Sequence, residues 1–142
     1  MYWIIIIATL AATSLMTLFS YLTAWLLKQP YKEPFLLAVL LNYFHVIYTK
    51  TNKVIGWLLH YVLGLLFVVA FQILLSGGWA TLSWSSALLY GAVIGVIGIL
   101  GWQLMFMLAP KTPRMNYIGY YAQLFIAHLV FALTMVGSYK LA

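Results

Sequence analysis

The sequence predicts an all-α polytopic membrane protein with four transmembrane helices and one short interfacial amphipathic helix, in a single domain over residues 1–142. Three observations carry this. First, 66% of the 142 residues are apolar and only 6% are charged, against roughly 25% charged residues in a soluble domain. A soluble domain of this length has too much surface for its volume to hide so much apolar side chain. Second, four apolar runs are long enough to cross a hydrocarbon core of about 30 Å, which takes roughly 20 helical residues. Third, the seven Lys and Arg fall at the ends of these runs, against one acid, Glu33.

The first run covers about residues 2–27. It is too long for a signal-peptide core and has no basic segment before it, so it reads as a retained helix. Thr9, Thr13, Thr17 and Ser20 form a stripe of small hydroxyls along it. Such groups suit internal packing, with each hydroxyl bonding a carbonyl of its own helix. The break that follows, "KQPYKEP", holds two prolines and three charges. Glu33 reads there as a lone acid in a basic loop, a partner for Lys28 or Lys32.

Next comes "FLLAVLLNYFHVIYTK", residues 35–50. As a helix it rises about 24 Å, short for a span. Ala38, Asn42, His45 and Thr49 make one narrow polar stripe on it, which suits a helix in the interface or packed against the bundle. If this run stays on one side, Lys28, Lys32, Lys50, Lys53, Lys111 and Arg114 share a compartment. Only Lys140 then lies opposite. The positive-inside rule therefore puts both termini outside the cytoplasm.

The second span, about 54–75, aligns Gly56, His60, Gly64, Phe67 and Phe71 on one face. The glycines make room beside the imidazole for a neighbouring helix or a ligand. His60 is expected to turn inward and bond a polar group on another span, because a charged imidazole facing lipid is costly. In the third span, about 86–108, Ala87, Gly91, Gly95 and Gly98 share a side. Small residues at this spacing admit a second helix backbone, from this chain or another. The fourth span, about 117–141, carries His128 with Tyr121 and Phe131 nearby. Counting depth along each helix suggests one polar layer containing Ser20, His60, Gln103 and His128. The two halves of the chain show no residue-level repeat, so an inverted-repeat transporter is not indicated.

Three uses of such a layer stay open. The histidines can specify register by bonding Ser20, Gln103, Tyr121 or a backbone carbonyl. They can ligate a haem or metal between helices, although the spans offer no carboxylate to orient a ligating imidazole. They can also serve proton-coupled transport. Enzyme chemistry is not expected. Without Cys or Asp the chain cannot build a thiolate site, a Ser-His-Asp triad or a paired carboxylate. No phosphate loop is present. The +6 charge is topological, and no nucleic-acid partner is expected.

"GWLLHYVLGLLF", "PKTPR" and "AHLVFAL" together resemble a group of small uncharacterised four-helix bacterial inner-membrane proteins. That group shows a GW-x-x-HY-x-x-G-x-x-F segment, a basic RTP-like turn and an HLVFG-type helix. This chain departs from it at Ala132, where the pattern has glycine, and at Lys111, where it has arginine. The resemblance implies a bacterial inner-membrane location and pairs His60 with His128. It implies no activity. The expected role is a non-catalytic accessory or assembly subunit, partnered by lipid and by other membrane subunits or itself. A haem, metal or small-ligand carrier, or a small transporter, is the alternative.

Overall fold

The computed structural model describes residues 2–44 and 49–142. Five helices follow one another: α1 (Tyr2–Leu27), α2 (Glu33–Tyr43), α3 (Thr49–Ser76), α4 (Trp84–Leu108) and α5 (Tyr117–Leu141). Four of them, all but α2, are long and apolar enough to cross a membrane. The chain is thus an all-α bundle with the makings of a multi-pass membrane protein. His45, one member of the proposed interfacial stripe, lies outside the described residues.

Local chemistry sets the helix ends. Lys28, at φ 53°, takes the left-handed conformation that closes α1, and the Gln29 N–H bonds back to the Ala24 carbonyl. Pro34 sits in the first turn of α2, where its missing N–H costs nothing. The Ser83 side chain caps α4 by accepting from the Ser86 N–H, and the Asn116 side chain caps α5 by accepting from Gly119.

α5 is the central helix, packed along both α1 and α4, while α3 joins α1 on one side and α2 on the other. The small residues explain these pairings. A Cβ added at Gly91 would lie 3.0 Å from the Ala132 Cβ and the His128 carbonyl oxygen, and one at Gly95 2.9 Å from the Phe125 ring. The glycine face of α4 is therefore used within this chain, against α5. Gly56 admits α2, since its Cβ would stand 2.5 Å from the Pro34 carbonyl oxygen, and Gly64 admits Thr13 of α1. The hydroxyls of Thr9, Thr17 and Thr23 each donate to the carbonyl four residues earlier on α1.

Two expectations need correction. α2 spans Glu33–Tyr43 rather than residues 35–50, and it is packed against the bundle, the second of the two placements expected for that run. Leu36, Leu37, Ala38 and Leu40 are all buried, and the helix lies against α3. α3 also starts five residues before the apolar run, so His60 sits deeper than the run suggests.

Candidate functional site

α3 and α4 meet near Tyr90. Its hydroxyl donates to the Phe67 carbonyl at 2.5 Å, and its ring lies 5.0 Å from that of Phe71. Toward the basic ends of the two helices their facing side chains leave a cavity of about 390 Å³. Phe67 and Leu63 of α3 line it, as do Gly98 and Trp102 of α4; Met16 of α1 and Phe131 of α5 complete the apolar wall. Its ionisable lining groups are His60, His128 and Glu33. Leu63, Ile97 and Leu104 line the cavity and are also exposed on the outside of the bundle. The cavity therefore opens sideways between α3 and α4, onto the exposed apolar surface of the bundle. A concave apolar space with a few convergent polar groups is the usual form of a small-molecule site.

His60 and His128 each lie eleven residues into their helices, about 16 Å from the helix start at the α-helical rise. They occupy one level of the bundle, as counted along α3 and α5. Thr17 Oγ1 gives its proton to the Thr13 carbonyl at 2.6 Å. It must therefore accept from His60 Nε2–H, 2.8 Å away. This fixes the neutral tautomer and leaves Nδ1 of His60 as a lone pair. His128 Nδ1–H donates to the Leu124 carbonyl at 2.8 Å, leaving Nε2 as a lone pair. The His128 ring lies against Gly98, where a Cβ would meet its Cε1 at 2.8 Å.

A second polar layer lies nearer the basic side, and the sequence did not reveal it. Glu33 is 2% exposed. Its Oε1 accepts from Ser20 Oγ at 2.8 Å and from Gln123 Nε2 at 3.5 Å, and Gln123 Nε2 also donates to Ser20 Oγ at 2.7 Å. Burial pushes the Glu33 carboxyl up to about 7, opposed by these hydrogen bonds. Its Oε2 has no hydrogen-bond partner, and neither do Gln123 Oε1 and the Tyr120 hydroxyl. The expected pairing with Lys28 or Lys32 is not formed. Lys32 instead stands 4.9 Å over the Tyr21 ring.

The single layer expected from depth counting is therefore two. Ser20 belongs with Glu33, and His60 with His128. Gln103 belongs to neither, because it is exposed on the outside of α4. Depth alone ignored rotation: at 100° per residue, Gln103 sits about 140° around the helix from Gly98. Gln123 takes the place foreseen for it. Tyr121 is also displaced from the histidines, half-buried beside the rings of Tyr117 and Tyr120. A usable signal for Gln123 existed, since Tyr120, Gln123, Ala127, His128 and Phe131 follow one helical stripe.

No family model, curated protein or solved structure matches this chain. The site's own chemistry must carry the functional reading. Among the described residues no group of three or more His, Cys, Asp or Glu is arranged to hold a metal ion.

The His60 bond sets a first prediction. His60→Gln keeps a donor for Thr17 and should melt in detergent close to the wild-type temperature. His60→Leu should lose only about 0.6 kcal/mol, the usual worth of an intramembrane hydrogen bond. A loss several times larger for both variants would mean that packing, rather than the bond, holds the ring.

Proposed function

We propose that this is a non-catalytic membrane protein that binds a small lipid-soluble molecule between its helices, beside His60 and His128. The observation that carries the proposal is the cavity itself. Two buried imidazoles with lone pairs and a buried carboxylate line an apolar space reached from the lipid-facing surface. Ionisable groups within spans mark functional sites by default. An accessory or assembly role would need a docking surface other than the α4 glycines, which α5 occupies. Haem is one form of the ligand reading. His128 has its Nδ1–H on a backbone carbonyl, as axial histidines commonly do, and keeps Nε2 available.

The test is purification in mild detergent, followed by solvent extraction, mass spectrometry and an ultraviolet–visible spectrum. Wild type should carry one recurrent small molecule, and Gly98→Leu, which adds a side chain to the cavity and pushes the His128 ring aside, should lose it. A Soret band abolished by His60→Ala or His128→Ala would identify that molecule as haem. A protein that yields no molecule, takes up no apolar probe and co-purifies with a larger complex would favour the accessory role instead.

The proposed setting is the bacterial inner membrane with both termini outside the cytoplasm, supported by the clustering of Lys and Arg beside the α1–α3 and α4–α5 breaks. Single cysteines at Thr51 and Thr112 should then react with an impermeant thiol reagent from the cytoplasmic side, and one at Gly78 only from outside. Opposite labelling of Thr51 and Thr112 would overturn this topology.

A further inference from the structure

The lining of the cavity discriminates among ligand chemistries. Its one acid is Glu33, and among the described residues no Lys or Arg lines it, so an anion would find no counter-charge. A carbonyl compound could accept from the Thr13 hydroxyl, which lines the cavity without a partner, but it would meet the lone pairs of His60 Nδ1 and His128 Nε2 acceptor against acceptor. A neutral alcohol would satisfy those lone pairs but leave the carboxylate without a counter-charge. A buried carboxylate with an unpartnered oxygen is costly, and here Oε2 is unpartnered while the adjacent Lys32 sits over Tyr21. One chemistry answers both needs.

We infer that the ligand is a lipid-soluble amine bound as its ammonium ion, with Glu33 as counter-charge and Phe67, Trp102 and Phe131 around its apolar body. The inference rests on the ligand-binding reading and specifies its substrate class. The N–H groups of the ammonium would satisfy the acceptors, and aromatic rings favour a desolvated cation. The opening beside Leu63, Ile97 and Leu104 suits a molecule that partitions into the bilayer first.

Glu33 also makes binding proton-linked. Burial raises its carboxyl to about 7, so near neutral pH an entering cation displaces a proton from part of the population. The groups that face this event are His60 from α3, His128 and Tyr120 from α5, and Tyr21 from α1, with Lys32 beside it in the chain. α4 contributes no titratable group to the lining.

The test uses the full chain in detergent with two probes of one shape, 4-phenylbutylamine and 4-phenylbutanol, followed by calorimetry. The amine should bind at least about tenfold more tightly than the alcohol near pH 7.5, and Glu33→Gln, which can still bond Ser20 and Gln123, should abolish that preference. In weakly buffered solution below the Glu33 titration range, amine binding should release close to one proton per site, and alcohol binding none. This proton count decides the matter on wild type alone if Glu33→Gln fails to fold. Equal binding of both probes, unchanged in Glu33→Gln, would overturn the amine while leaving the cavity reading intact. Preference for decylubiquinol over both probes would replace the amine with a quinol. If no probe binds and Gly98→Leu changes nothing, both readings fall.

Discussion

Gly91→Leu should unfold the α4–α5 seam, while Val93→Leu two residues away should be nearly silent. A Cβ at Gly91 meets the His128 carbonyl oxygen at 3.0 Å and the Leu129 Cα at 3.1 Å, and both are backbone atoms that cannot rotate aside. Val93 is 49% exposed on the lipid-facing side. Overpacking a tight contact costs about 1–3 kcal/mol where side chains can adjust, and here the helices must separate instead. A loss of at least about 3 kcal/mol is therefore expected, read as a lowered thermal midpoint or failure to purify as a single species. Because Gly91 packs on the backbone next to His128, the same variant should disturb the cavity wall. Equal behaviour of the two variants would remove the close α4–α5 approach from the account.

Glu33 should contribute most to the fold's stability in acid and progressively less as the pH rises toward neutrality. Burial lifts the folded-state pKa of Glu33 from 4.5 to about 7, so the folded state holds the proton more tightly than the unfolded chain. The resulting stability is fully present below pH 4.5 and is lost as the pH rises through about 7. At about 1.4 kcal/mol per pKa unit the swing is on the order of 3 kcal/mol. The difference between wild-type and Glu33→Gln melts across these limits should show it, because the variant cannot ionise. Subtracting the variant's profile removes the contributions of His60, His128 and the tyrosines. A wild-type profile parallel to that of Glu33→Gln would mean that Glu33 is not buried in the folded state.

The spans were legible because bilayer thickness, apolar run length and helix-breaking residues constrain one another. Two of the expected spans, residues 2–27 and 117–141, coincide with α1 and α5. The internal site was less legible, for two physical reasons. Sequence shows how far along a helix a residue lies, but its direction depends on neighbours not yet placed, which is why Gln103 stood in for Gln123. Charge in sequence is also a poor guide to burial. Glu33 lies between lysines and prolines and reads as solvated, yet α2 carries it in against Ser20 and Gln123. The inward His60 fared better, because its glycine neighbours at Gly56 and Gly64 pointed to helices pressed close on both sides, and its bond to Thr17 lies on one of them.

The segment between α1 and α2 is clasped to the start of α5. The Tyr31 hydroxyl donates to the Asn116 carbonyl at 2.8 Å, and the Asn116 N–H donates to Gln29 Oε1 at 2.9 Å. Gly119 leaves room for the Tyr31 hydroxyl, which a side chain there would strike. Because the ribosome makes α5 after α1 to α4, this clasp has nothing to close on until those helices have been synthesised. Gln123, the second neighbour of Glu33, arrives equally late. Until then the acid lacks that neighbour, although Ser20 on α1 is already made. Its full enclosure waits for α5, so a nascent chain stopped before Tyr117 should keep residue 33 open to an aqueous reagent that the folded bundle excludes.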